Sequence, residues 1–166
     1  MSEDNESMPS NNKSQTVARA SVVDWAQKYE EQRKRAGELL IVNKRTLFEV
    51  LAMAGITNVV VSFDGYGYSG QIETIEAQTD EISTELPDER IEFLAPVWES
   101  TEIQRQAHTV REAIESVCYS CLKQAHCGWE NNDGAYGDFT FNVEERVITL
   151  DYNERYTTSD NYTHEF

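Results

Sequence analysis

Two segments near the C-terminus, residues 139–143 and 146–152, constrain the fold more than any other part of the sequence. Apolar residues recur at alternate positions in both segments. A hairpin that turns at Glu144 and Glu145 places six of them on one face, namely Phe139, Phe141, Val143, Ile148, Leu150 and Tyr152. A single register therefore places the apolar residues of both strands on the same face, and this predicts an antiparallel hairpin with one buried face.

A second hairpin is predicted around the glycine-rich loop at residues 65–70. The loop separates a β-branched segment at 58–63 from a second segment at 71–77. If it closes a hairpin, Asp64 pairs with Gln71, and the same register pairs Ser62 with Glu73 and Val60 with Ile75. The core face then carries Val59, Val61, Phe63 and Ile72. A β-bulge in either strand would change this register.

Capping residues and apolar spacing predict three helices. The first begins at Ser21, and the second covers residues 44–54 and ends before Gly55. The third begins at Thr101, in a Thr-x-x-Gln capping box, and ends at Gly128. Its apolar residues recur at helical spacing: Ile103, Ala107, Val110, Ile114, Val117 and Cys121.

The element order predicts the fold class. An acidic loop at residues 78–89 and a short strand at 90–95 complete the pattern. Helices and strands are largely segregated, which favours an α+β fold: an antiparallel sheet of four to five strands with helices packed on one face. Residues 1–15 are polar, acidic and nearly without apolar residues, so we predict a disordered tail there and a single α+β domain over residues 16–166.

The charge distribution narrows the class of partner. The formal net charge is -16, and the acidic residues concentrate between positions 64 and 102, where Arg90 is the one basic residue. Such acidity opposes direct binding to nucleic acid, which needs lysine and arginine. It favours a protein partner with a basic surface. The sequence shows neither a secretory signal nor a membrane span, and its three cysteines make no disulfide framework, so we expect a cytoplasmic protein away from the membrane.

Two Asp-Gly loops are the candidate site. The first contains three glycines at positions 65, 67 and 70, which let the backbone approach a ligand closely. The second lies at residues 129–137. The candidate binding residues are Asp64, Tyr66, Tyr68, Gln71, Glu73, Glu130, Asp133 and Tyr136. If the two hairpins are neighbours, the loops line one cleft; otherwise they are a hairpin tip and a connector made of ordinary turn residues.

A cysteine cluster offers a weak zinc candidate. Cys118, Cys121, His126 and Cys127 form a C-x2-C-x4-H-C pattern, and all four side chains are of the type that ligates zinc. Cys118 and Cys121 also fall on the apolar face of the third predicted helix, where cysteine packs as a small hydrophobic residue. The second interpretation is favoured, so no metal and no cofactor is predicted.

Two stretches of the sequence form recognisable patterns, VVVSFDGYGYSGQIE and GWENNDGAYGDFTFNVEERVITLDYNERYTTSDNYTHEF. They resemble a bacterial family of unknown function found on chromosomes and plasmids, and the resemblance covers residues 47–166. One departure is Tyr68, where the resemblance implies an acidic residue, and this disfavours a metal site at Asp64. The cysteine cluster is outside the pattern. The resemblance implies a domain and carries no activity with it.

These observations favour a small, acidic, non-enzymatic binding or regulatory protein. In this hypothesis it is a mobile-element accessory factor that acts on a basic or nucleic-acid-binding protein. No nucleophile–base set is visible around His108, His126 or His164. The alternative hypothesis is a metal-dependent hydrolase that uses Asp64, Glu73 and Asp133.

Overall fold

The computed structural model describes residues 12–166, without the side chains of residues 12–18 and 20. The elements in chain order are α1 (Asn12–Met53), β1 (Asn58–Tyr66), β2 (Ser69–Thr79), β3 (Ile82–Thr84), β4 (Arg90–Pro96), β5 (Ile103–Thr109), α2 (Val110–Ala125), β6 (Ala135–Asn142) and β7 (Val147–Glu154). The predicted tail falls largely on residues 1–11, which lie outside the described residues. Residues 12–15 form the first turn of α1.

The strands form two antiparallel sheets. The larger has the order β3-β2-β1-β6-β7, and the smaller is the hairpin of β4 and β5. The α+β prediction is therefore confirmed, with the two-stranded sheet as an additional feature. The central strand of the larger sheet is β1, which pairs with its sequence neighbour β2 on one side and with the distant β6 on the other.

Both predicted hairpins are present. In the C-terminal one, Phe139 pairs with Leu150 and Phe141 with Ile148, so the predicted register is confirmed. In the other, Asp64 pairs with Gln71 as predicted, but a register shift after Ser62 pairs Ser62 with Thr74. The predicted pairs of Ser62 with Glu73 and Val60 with Ile75 are therefore wrong. The extra residue of a β-bulge shifts all pairs beyond it while keeping Ile72 and Ile75 on the core side.

The first two predicted helices are one. α1 runs without interruption into residues 44–54, which the sequence predicted as a separate second helix, and it begins at Asn12, before the predicted start at Ser21. At this point of the helix the Asn43 side chain forms two hydrogen bonds with the backbone of Leu94, which attach α1 to β4. The predicted end is confirmed, because Gly55 has φ +74° and its amide donates to the carbonyl of Ala52.

The third predicted helix begins later than predicted. Residues 103–109 are strand β5, and the capping box is formed by Thr109 and Glu112. The Thr109 hydroxyl accepts from the Glu112 amide, and the Glu112 carboxylate accepts from the Thr109 amide, which lowers the pKa of Glu112. The prediction was wrong because Ile103 and Ala107 fit helical spacing but are exposed, while their backbone pairs with β4.

One apolar cluster joins the helices to both sheets. The C-terminal turns of α1 contribute Leu47, Phe48 and Leu51, all fully buried, and Phe48 packs against Phe141 of β6 with ring centroids 6.1 Å apart. Buried residues of α2 and β4 belong to the same cluster. The sheet therefore buries one face against the helices. Within residues 12–166, no helix is long and apolar enough to cross a membrane.

Candidate functional site

The turn between β1 and β2 is tighter than the six-residue loop suggested by the sequence. The strands pair as far as Tyr66 and Ser69, so only Gly67 and Tyr68 remain in the turn. Both have positive φ, +58° and +68°, as in the two-residue turns that match the twist of a hairpin. This backbone conformation is costly for tyrosine, by about 1–3 kcal/mol, and such strain tends to occur at functional sites.

The two Asp-Gly loops lie against each other. The amide of Gly67 donates to the carbonyl of Asn132 at 3.1 Å, and the amide of Tyr68 donates to the carbonyl of Glu130 at 2.9 Å. The Tyr68 hydroxyl also donates to Oδ1 of Asn132. These contacts hold Tyr68 in its strained conformation, and they bring together the loops that the sequence analysis could only suppose to be neighbours.

Trp129 fills the space beneath the turn. Gly65 and Gly70 pair across the hairpin, and a Cβ atom on either of them would overlap the Trp129 ring. The ring also meets Phe63 edge to face, with centroids 5.4 Å apart. These two glycines are therefore explained by the close approach of an indole ring. The sequence alone left two roles open for them, close approach to a ligand or an ordinary hairpin tip.

Arg155, which the sequence analysis missed, joins the C-terminal segment to the first loop. Its Nη1 and Nη2 donate to the two carboxylate oxygens of Asp64 at 3.0 and 3.2 Å, and Nη1 also donates to the carbonyl of Gly65. The guanidinium lies 4.5 Å from the centroid of the Tyr136 ring. The signal that could have revealed it was a lone arginine in an otherwise acidic C-terminal stretch.

Asp133 makes a second link to the same segment. Its Oδ2 accepts from the Thr157 amide at 2.6 Å. Nearby, the Tyr156 hydroxyl donates to Glu154, which raises the pKa of Tyr156. Loop 129–134 and residues 152–156 enclose a shallow pocket of about 370 Å³. We call the β1–β2 turn, loop 129–134, Tyr136 and residues 154–157 together the loop end.

The remaining candidate residues have simple environments. Gln71 donates to the Glu73 carboxylate at 2.8 Å, and both side chains are exposed. Glu130 is half-buried in the second loop. The tyrosines Tyr66, Tyr68 and Tyr136 are 70%, 71% and 45% exposed. Within residues 12–166, no three His, Cys, Asp or Glu side chains are placed to hold a metal ion, and this includes Asp64, Glu73 and Asp133.

The cysteine cluster is spread over different environments. Cys118 is fully buried in the core, Cys121 is half-buried and Cys127 is exposed. Burial raises the pKa of both Cys118 and Cys121, which opposes the thiolate form that zinc requires. His126 stacks on the Tyr152 ring, with centroids 3.5 Å apart. The contacts are those of packed side chains.

We expect the ion pair of Asp64 and Arg155 to contribute a coupling free energy of about 1 kcal/mol. This is at the high end for a half-exposed pair because the geometry is bidentate and Tyr136 supports the guanidinium. The measurement is a double-mutant cycle with Asp64→Ala and Arg155→Ala, read by urea unfolding. Glu92 and Arg105, a highly exposed pair at 2.6 Å, are the control and should couple by less than about 0.5 kcal/mol. If the two cycles gave equal coupling free energies, Asp64 and Arg155 would contribute no more to stability than an ordinary surface ion pair.

The comparisons with known proteins identify a family without an assigned activity. No curated protein and no solved structure matches the chain significantly. The model of one family, described as a family of unknown function (DUF6878), matches residues 39–166. This segment includes every strand, α2 and the whole loop end. The chain therefore belongs to the DUF6878 family.

Proposed function

We propose that the protein is a non-enzymatic binding protein whose loop end binds a basic surface on a partner protein. The observation that carries this proposal is the cluster of exposed tyrosines at one end of the sheet. Tyr66, Tyr68 and Tyr136 are joined there by Tyr156, which is 79% exposed. Around them lie glycines, asparagines and carboxylates.

Tyrosine-rich loops are well suited to protein recognition. A tyrosine side chain offers a large contact area at a low cost in conformational entropy, and tyrosine is enriched among the residues that dominate binding energy. The ring of Tyr68 is already oriented by its bond to Asn132, and its backbone is fixed by the second loop. A preorganised surface loses less entropy on binding, which favours affinity.

The charges favour a basic partner. Glu73, Glu130 and Glu154 lie on or beside the loop end of a protein with a formal net charge of -16. Lysine or arginine side chains of a partner can meet these carboxylates and also stack on the tyrosine rings. A nucleic-acid-binding protein is a natural member of this class, since its own binding surface is basic. Three free cysteines fit a reducing compartment such as the cytoplasm.

The contacts favour binding over metal-dependent hydrolysis. Both carboxylate oxygens of Asp64 are engaged by a guanidinium, and Asp133 accepts from a backbone amide. A cation at Asp64 would have to displace Arg155. Thermal melts in the presence of magnesium, manganese or zinc test this: a stabilisation that disappears in Glu73→Gln would favour the hydrolase, because a ligand of the folded state raises apparent stability.

We expect the double variant Tyr66→Ser/Tyr68→Gly to lose its partner. Glycine at position 68 adopts positive φ without strain, so the fold should be kept while two contact rings are removed. Removing two interface tyrosines should weaken binding by at least about tenfold. The measurement is affinity capture from host lysate with quantitative mass spectrometry, and the captured proteins should be basic and released by salt.

Tyr162→Ser is the matched control, because Tyr162 is 77% exposed and lies outside the loop end. It should capture the same proteins as the wild type. If the loop-end variant captures the wild-type set, or if the lost proteins are acidic, the proposal is wrong.

A further inference from the structure

A second surface lies on α1, away from the loop end. The side chains of Val22, Trp25 and Tyr29 follow one another at spacings of three and four residues. They continue the same face of the helix that reaches the core at Leu47 and Leu51. Val22 and Trp25 are 65% and 59% exposed, and the Trp25 and Tyr29 rings stack with centroids 5.5 Å apart. An apolar face thus extends beyond the part of α1 that packs in the core.

This face leads into a groove between α1, the β4–β5 turn and the end of α2. The groove has a volume of about 310 Å³, and its walls include Tyr29, Ala36 and Trp98. Trp98 is half-exposed at the β4–β5 turn. The turn is fixed to α1, because Arg35 donates to the carbonyls of Ser100 and Glu102. The groove is therefore built on a braced framework. We call it the α1 groove.

The charges of the α1 groove are opposite to those of the protein as a whole. Arg33 of α1 and Lys123 of α2 line it, and none of its lining residues in the described part of the chain is acidic. On the other side of the apolar face, Lys28 pairs with Asp24 and Glu99, and Arg35 donates to the backbone of the β4–β5 turn. Arg33 also lies 3.9 Å from the Glu30 carboxylate. A cationic, apolar groove on a protein with a net charge of -16 is complementary to an acidic segment with an apolar stripe.

The same charges oppose pairing of α1 with a second copy of itself. Val22, Trp25 and Tyr29 occupy a and d positions of a heptad pattern, and the flanking e and g positions carry Arg19, Lys28, Arg33 and Arg35. Two such helices side by side would place like charges along both edges of their seam. The favoured occupant is therefore a helix whose flanking positions are acidic.

We propose that the α1 groove binds an acidic amphipathic helix of a partner protein. This site is independent of the loop end and of the function proposed for it. The helical face concerned, up to Ala36, precedes residues 39–166, which match the family model. Trp98 and Lys123, which complete the α1 groove, lie within the matched residues.

The test uses two fluorescein-labelled helical peptides with leucine at the a and d positions. One has glutamate at e and g, and the other has lysine there. We expect the glutamate peptide to bind the full chain, by fluorescence anisotropy, at least about tenfold more tightly than the lysine peptide. Arg33→Glu/Lys123→Glu should abolish this preference, and Trp25→Ala should lower the affinity for the glutamate peptide severalfold.

Lys34→Glu/Arg111→Glu is the matched control, because it makes the same change in net charge at exposed positions outside the α1 groove. It should keep the preference, and circular dichroism should show that all variants are folded. Failure of the glutamate peptide to bind, or an equal loss in the two charge variants, would overturn the proposal. So would sedimentation showing a wild-type dimer that Trp25→Ala dissociates, since a second copy would then cover the face.

Discussion

Replacing Gly134 with alanine is expected to lower the free energy of unfolding by about 3–5 kcal/mol, because backbone strain and overpacking add at this position. Gly134 has φ +75°, and a Cβ atom there would overlap the carbonyl of Gly65 in the neighbouring strand. Both the second loop and β1 would have to move. For a chain of this size the loss should lower the melting temperature by about 10 °C.

Gly67→Ala separates the two causes. Gly67 has φ +58°, but a Cβ atom there would meet no heavy atom within 4 Å. It should lose only about 1 kcal/mol, the usual cost of a residue other than glycine in this conformation. The measurement is urea unfolding of both variants beside the wild type. Equal losses would show that the overlap of a Cβ atom at position 134 with β1 adds no cost beyond backbone strain.

Replacing Asn43 with leucine is expected to cost about 2–4 kcal/mol, because the backbone amide and carbonyl of Leu94 would lose their partners. Asn43 is 9% exposed, and its side chain contacts both groups at 2.8 and 2.9 Å. The loss should occur although leucine is the better helix former. Asn43→Asp should also be destabilising, because one carboxylate oxygen can accept from the Leu94 amide but the other would face the Leu94 carbonyl oxygen without a proton to donate.

Gln27→Leu is the control for Asn43→Leu on the same helix. Gln27 is exposed, so its replacement should change stability by less than about 0.5 kcal/mol. The free energies come from urea unfolding followed by circular dichroism. A loss at Asn43 no larger than the change at Gln27 would contradict the role of this residue as a link between α1 and β4.

The sequence predicted those elements that have one apolar and one polar face. The C-terminal hairpin was predicted with its register because burial of Phe139, Phe141 and Leu150 requires one alternation only. The bulge after Ser62 could not be predicted, since it keeps Ile72 and Ile75 on the core side and leaves the apolar pattern unchanged. Helical spacing gave the wrong prediction for residues 103–109, because their backbone pairs with β4.

The sequence indicated the residues of the candidate site better than the contacts among them. The sequence indicated two Asp-Gly loops, and the structure brings them together through Gly67, Tyr68 and Asn132. It did not indicate that Asp64 and Asp133 would hold the C-terminal segment, since their partners Arg155 and Thr157 lie far along the chain. Side-chain pairing across such distances leaves no periodic trace in a single sequence.

The pairing of β1 with β6 also has a consequence for the order of folding. Asn58 pairs with Asn142 and Gly65 with Ala135, so the central strand finds its second neighbour only after most of the chain has been made. During synthesis the β1–β2 hairpin exposes an unpaired edge, which is the kind of surface that joins other chains. Non-local pairing of this kind slows folding. The interval between synthesis of β1 and of β6 is therefore when the nascent chain is most exposed to aggregation.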